Sequence, residues 1–398
     1  MQGCSVHFLG NAIAVDSRYV LASAEQSSVW KTYAFAVSDG SLVKTLQSPA
    51  QPCLPITGIA LAGQYAAVGC RRNGQTAGVL LYDSDNNFDF IGEIASPSIT
   101  SDGYYASDVA TDGASVVTGD RGAESTKGYY TASQGTWFTF YGSGAQGYGN
   151  AVDIDGDLVL VGASRDNTDA SKAGSAWVYN LANSGSSLQG TLRSPELAAN
   201  EYFGQDVAIG NYLVIGTRSG KVYVFDRSRT YVRKLESPTS CCATQYEFGR
   251  GVAAVGNFAV VTASREDSFS SGGAAVTRTG AVYVFNLLTG QQESKLTAAN
   301  SVSGLEFGYR AAAHWIGSTT TTTTTTAPSG VVVAGGKGKG AELHQLDAPH
   351  RVSIDSDENL FVADYHKHRV VKWAPDATSG LVAMARGADA ISYLSLAV

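Results

Sequence analysis

Residues 203–238 read FGQDVAIGNYLVIGTRSGKVYVFDRSRTYVRKLESP, and this stretch decides the fold. Four short apolar runs lie in it: Asp206 to Ile209, Tyr212 to Gly216, Lys221 to Phe225 and Tyr231 to Leu235. Each is rich in Val, Ile and Tyr, which fit a pleated surface. Gly-Asn, Ser-Gly and a Ser/Arg cluster separate them, and short breaks containing Gly favour tight hairpins. The spacing predicts a four-stranded antiparallel meander of roughly 36 to 45 residues, the size of a propeller blade.

The rest of the chain repeats this unit. AIAVD, YVLASA, TYAFAVS and LVKTLQSP make a copy from about Phe8 to Pro49; ITGIALAG, YAAVGC, GVLLYD and FIGEIASP make one from about Ile56 to Pro97. A degraded copy from Tyr104 to Gly144 keeps SDVATDG, SVVTGD and WFTFYG. Tyr148 to Pro195 carries YGNAVDIDGDLVLVGAS, SAWVYN and LQGTLRSP, and Phe248 to Asn300 carries FGRGVAAVGNFAVVTAS, GAVYVFN and SKLTAAN.

Three landmarks recur in fixed order. An aromatic-Gly pair opens units at Tyr148-Gly149, Phe203-Gly204, Phe248-Gly249 and Phe307-Gly308. A VYVF-like third strand follows at Val222 to Phe225 and Val282 to Phe285. A Ser-Pro closes the fourth strand at Ser48-Pro49, Ser96-Pro97, Ser194-Pro195 and Ser237-Pro238. Pro cannot donate to a ladder, so it stops the outer strand where the chain crosses to the next blade. The first two strands are nearly continuous small apolar runs, as expected of strands packed on both faces by neighbouring blades.

These landmarks resemble the FG-GAP repeat, over about residues 1–315 and most strongly from Tyr148 to Asn300. The integrin α-chain heads carry a related propeller. At Thr319 to Thr326 eight threonines interrupt the seventh unit. Such a tract has no apolar face to bury and reads as a loop or linker over 316–329. Beyond it the pattern changes: VVAGG, QLDAP, VSIDSDENLFVAD and HRVVKW, within Gly330 to Gly387, resemble the NHL repeat. NHL repeats also form propeller blades, so both resemblances imply one shape. The expectation is an all-β propeller of four-stranded antiparallel blades, seven or eight in number, with FG-GAP-like blades over 1–315 and NHL-like blades over 330–398 closing the same ring. A smaller ring with a separate NHL fragment is the alternative. The end segments CSVHF and ISYLSLAV are each candidates for a closing outer strand.

Composition narrows the function classes. The net charge is −7, against a nucleic-acid surface, which clusters Lys and Arg. No run reaches the ~18 apolar residues of a membrane span. The first residues lack the basic start and apolar core of a signal peptide. The compartment stays open, with a cell-surface or extracellular place if a leader is missing. Five cysteines (Cys4, Cys53, Cys70, Cys241 and Cys242) without regular spacing read as ordinary thiols, with one or two disulfides as the alternative.

Chemistry has few candidates. Asp153, Asp155 and Asp157 alternate along DIDGD, and such carboxylates can converge on Ca²⁺. Integrin-type FG-GAP repeats bind Ca²⁺ with a longer loop, and the plainer reading here is an Asp155-Gly156 turn of type I′. A rim loop with Arg165, Asp166 and Asp169, and its counterpart with Arg265 and Asp267, reads most plainly as a solvated turn; the alternative is contact with a partner or ligand, because propellers recognise partners on such loops. His366 and His368 form a His-x-His beside Arg369. The matching NHL segment is largely structural, though some NHL proteins are zinc-dependent lyases. No GxSxG elbow, HExxH, Walker loop or dinucleotide fingerprint occurs. The expectation is a non-catalytic binding or scaffold module for a protein or glycan, without a firm cofactor. A metal-dependent lyase or hydrolase in the central channel and a structural subunit of a larger assembly are the rivals.

Overall fold

The four runs of 203–238 become strands Val207–Ile209, Tyr212–Gly216, Lys221–Asp226 and Tyr231–Glu236, paired in chain order in one antiparallel sheet. Val214, Val222, Tyr223 and Val224 are fully buried, because both faces of the sheet are covered. The computed structural model describes residues 6–7, 12–26, 29–47, 53, 58–70, 78–95, 105–120, 127–131, 136–140, 142, 144–181, 187–237, 247–269, 275–297, 310–313, 342–346, 349–354, 359–364, 367, 369–374, 377 and 379–385. Among them no α-helix occurs, and so none is long and apolar enough to cross a membrane.

The meander recurs as a series of blades. Blade one holds Ile13–Val15, Tyr19–Gln26, Val29–Ala36 and Leu42–Leu46, and blade two Ile59–Ala62, Tyr65–Cys70, Gly78–Asp83 and Asp89–Ala95. Blade three holds Tyr105–Thr111, Ser115–Asp120, Lys127–Thr131 and Thr136–Phe140; blade four holds Tyr148–Asp155, Leu158–Ala163, Ser175–Asn180 and Ser187–Leu192. Blade five is the quoted stretch. Blade six holds Phe248–Val255, Phe258–Ala263, Ala281–Asn286 and Gln292–Thr297. Val6–His7 adds a fifth strand to blade one, on the inner side of Tyr19–Gln26 and not on the outer edge expected of it. The ISYLSLAV segment lies outside the described residues.

The expectation of seven or eight such blades is corrected here. Among the described residues six sheets of four or five strands, and a small hairpin of Ser268–Phe269 and Ala275–Val276, are antiparallel throughout, and one further sheet is mixed. In it Arg310–Ala313, the first strand of the interrupted seventh unit, runs parallel to Pro349–Ile354. Leu360–Asp364, Arg369–Trp373 and Leu381–Ala385 follow in antiparallel order. Two units counted separately in the sequence thus share one sheet. A parallel pair needs a long crossover, and residues 314–348, with the threonine tract among them, form that connection. The tract itself lies outside the described residues.

Apolar cores sit between blades. Leu21 and Leu46 meet Ile59, Leu61 and Val68. Leu160 and Val178 meet Val207 and Ile215, and Val214 and Val224 meet Phe248 and Val261. Each buried Val or Leu contributes about 2 kcal/mol, so a blade is stabilised mainly by its neighbours. Arg310–Ala313 packs on Phe248–Val255 of blade six. Ile13, Val15 and Val20 of blade one meet Phe361, Ala363 and Val370 of the mixed sheet, which closes the ring. A hollow remains at that closure, lined by Tyr19, Val37, Leu343, Leu381 and Ala383.

The repeated landmarks are interlocks. Gly149, Gly204 and Gly249 have φ of +76°, +81° and +84°, in the left-handed region that costs Gly little. Their carbonyl oxygens press on the preceding blade's second strand. A Cβ on Gly119, Gly162 or Gly216 would stand 2.3, 2.3 or 2.2 Å from the oxygens of Gly149, Gly204 and Gly249 respectively. The partnering aromatic turns back into its own blade: Phe203 packs on Tyr223 and Phe225, Phe248 on Tyr283 and Phe285. Acidic stitches join the inner strands. Asp108 accepts the Val152 N–H at 3.0 Å, Asp153 the Ile209 N–H at 2.7 Å, and Asp206 the Val252 N–H at 2.9 Å.

The cysteine expectation is also corrected. Cys53 and Cys70 form a disulfide, with Cα atoms 5.1 Å apart. It ties the crossover after blade one to the second strand of blade two, in the core between them. Cys4, Cys241 and Cys242 lie outside the described residues.

Candidate functional site

Antiparallel order sends the strand 1–2 and 3–4 turns to one rim. The strand 2–3 loops and the crossovers go to the other. The first rim carries short turns. On the second, two of the longest described segments meet: loop 164–174 of blade four and crossover 193–206 into blade five. They pair backbone to backbone. The N–H groups of Asn200, Tyr202 and Phe203 donate to the carbonyls of Ser171, Lys172 and Ala173 at 2.7, 2.9 and 2.9 Å.

The expected rim residues take distinct places. Arg165 is exposed on the loop. Asp166 is buried, and its carboxylate accepts from the Thr168 N–H and hydroxyl and from the Ser175 hydroxyl at 2.7 Å. Ser175 in turn takes the Trp177 indole N–H at 3.0 Å. Burial opposes ionisation of Asp166, but these donors and Arg193 outweigh it and lower the pKa. Asp169 pairs with Arg193 at 2.5 Å. On blade six Arg265 pairs with Glu247 at 3.2 Å, and Asp267 accepts the Arg278 N–H at 2.7 Å. The two loops share a rim but blade five stands between them.

A pattern that the sequence reading passed over underlies these loops. Glu266 follows Arg265 as Asp166 follows Arg165, and it receives the Tyr283 hydroxyl at 2.5 Å and pairs with Lys295. In blade five Glu201 takes the Tyr223 hydroxyl at 2.5 Å. Each of these blades thus buries one acid under its rim and ties it to the aromatic of the third strand. The signal was present as ASRD and ASRE at corresponding places, but an acid beside Arg looks the same in a solvated turn.

The residues that stand out on the rim are Lys172, Tyr202 and Arg218. The Lys172 Nζ lies 6.0 Å and the Arg218 guanidinium carbon 5.0 Å from the Tyr202 ring centroid. Nothing in one-dimensional spacing joins them, since they come from a loop, a crossover and a third segment.

Two of the three acids of DIDGD have partners elsewhere. Asp153 turns to Ile209 of the next blade, and Asp155 pairs with Arg227 at 2.6 Å. Among the described residues no three His, Cys, Asp or Glu side chains gather as a metal group. The turn at Gly156-Asp157 has positive φ at Gly156 alone, which is the Gly-first pattern of type II′ and not the expected I′. Asp153 is partly accessible as a residue, yet protein surrounds its carboxyl. That desolvation pushes the pKa up to about 7, against the pull of the Ile209 and Ile154 N–H groups. His366 and His368 lie outside the described residues. The neighbouring Arg369 is buried, bonded to Asp364 at 2.8 Å and to the carbonyls of Glu342 and Gln345.

Blade four carries the aromatic-Gly opening, the second-strand Gly and a third-strand aromatic. Residues 142–179 match the FG-GAP repeat. Residues 346–373 match the NHL repeat, and cover the strands from Pro349–Ile354 to Arg369–Trp373 of the mixed sheet. The FG-GAP match spans the Tyr148-Gly149 interlock and ends at Tyr179, whose hydroxyl bonds that of Tyr148 at 2.8 Å. No curated protein matches the chain.

Proposed function

We propose that this chain is a non-catalytic binding or scaffold module that docks a protein or glycan partner through the loops of one rim. Repeat propellers of the FG-GAP and NHL kinds are commonly binding or scaffold modules. What carries the reading is the contrast between rims: short turns on one, and on the other a long loop and crossover held in a fixed shape by three backbone hydrogen bonds. A rigid ring that presents shaped loops on one side needs no side chain tuned for catalysis. The Cys53–Cys70 disulfide suits an oxidising compartment, where such a module meets extracellular or luminal partners.

The test is site-directed photo-crosslinking. A crosslinking residue at Asn167, exposed on the loop-bearing rim, is compared with one at Asn211, exposed on the opposite rim. In extract from the source cells the first captures a discrete partner and the second does not. Capture only from Asn211, or from neither, overturns the reading.

A further inference from the structure

The loop 164–174 and the crossover 193–206 meet at unusual backbone cost. Lys172, Asn200 and Tyr202 have φ of +52°, +61° and +56°. Asn tolerates that region, but Lys and Tyr rarely occupy it, and such outliers gather where a site holds its shape. Here the outliers bring Lys172 and Arg218 to the Tyr202 ring.

Both cations are exposed, and among the described residues neither has a carboxylate within ion-pair reach. Their neighbours differ. Asp169 is matched to Arg193, and Glu196 to Lys221 and Lys234. Two unneutralised cations thus stand together on a chain whose net charge is −7. With cations over the ring, Tyr202 offers a ligand positive charge more than a bare aromatic face. The Arg fork is shaped for the two oxygens of a carboxylate.

We propose that Lys172, Tyr202 and Arg218 form a clamp for a carboxylate-bearing segment of a partner protein; the proposal rests on the rim-docking reading above. A densely charged polymer fits less well. Its two cations match one or two carboxylates, while Arg193, Lys221 and Lys234 of the same blades are already paired with Asp169 and Glu196. Complementary charge of this kind sets partner choice and encounter rate more than raw affinity.

The test is a fluorescence-anisotropy titration of the full chain with a short, end-blocked Glu-rich peptide. A twin with Gln for every Glu and a sulfated oligosaccharide are run beside it. The Glu peptide saturates, the Gln twin does not bind, and added salt weakens binding. The double variant Lys172→Asn and Arg218→Gln binds about tenfold or more weakly, with an unchanged melting temperature. Arg227→Gln on the other rim leaves binding as it was. Equal affinity for the double variant, equal binding of the Gln twin, or binding of the oligosaccharide alone overturns the proposal. Should the double variant lose stability, Arg218→Lys decides, since it keeps the charge and removes the fork: weaker binding sustains the clamp and unchanged binding refutes it. Failure of the rim reading appears elsewhere, as loss of crosslinks at Asn167.

Discussion

A single carboxyl shows how far one residue's role departs from its appearance. Asp153 stands in a run of alternating acids, yet it joins two blades through the Ile209 N–H. Burial pushes its pKa up to about 7, from about 3.9 in an unfolded chain. The folded state therefore holds this proton more tightly. The stabilising contribution is complete below about pH 4 and is lost as pH rises from about 4 to about 7. Asp153→Asn stays neutral and still accepts the N–H. It is expected to melt higher than the parent at about pH 8 and to lose that advantage near pH 4 to 5. Parallel thermal melts check this, and a constant gap across pH excludes it. Glu196, held down to about 2 by Lys221 and Lys234, acts in the opposite sense at lower pH. The variant-minus-parent difference is therefore the useful readout.

The strands and their landmarks were legible because each follows a local rule. Val, Ile and Tyr runs gave the meander, and Ser-Pro gave the strand ends. The aromatic-Gly pair was visible, but its purpose was not: the carbonyl of Gly204 facing Gly162 is a contact between blades, and spacing within one blade does not encode it. The same holds for the acidic stitches, where blade four has Ala151 in the place of Asp108 and Asp206, and Asp153 stands in two positions later. The merging of Arg310–Ala313 with Pro349–Ile354 was hidden by the inserted segment. The Cys53–Cys70 bond was hidden by irregular spacing. It spans 17 positions, and closing a loop of that size stabilises by about 3 kcal/mol. Reductant should lower the urea midpoint of the full chain accordingly; an unmoved midpoint would mean the two thiols serve equally well unjoined.

For the molecule as a whole, closure matters more than any blade. Phe361 is fully buried against blade one, and Phe361→Ala is expected to cost about 3 to 5 kcal/mol. Because neighbours cover one another, the loss should spread. Hydrogen exchange should show protection falling together in Leu360–Asp364 and in Tyr19–Gln26, the facing strand of blade one. Protection lost in Leu360–Asp364 alone would mean that the closing sheet opens independently.

The parallel joint between Arg310–Ala313 and Pro349–Ile354 sets an order of events on the ribosome. Blade one emerges well before the surface that covers its Ile13, Val15 and Val20, which includes Phe361 and Val370. Until those residues are made, this wall of the circle waits bare. The nascent protein is exposed to misassembly for longest at the very place where the ring must close.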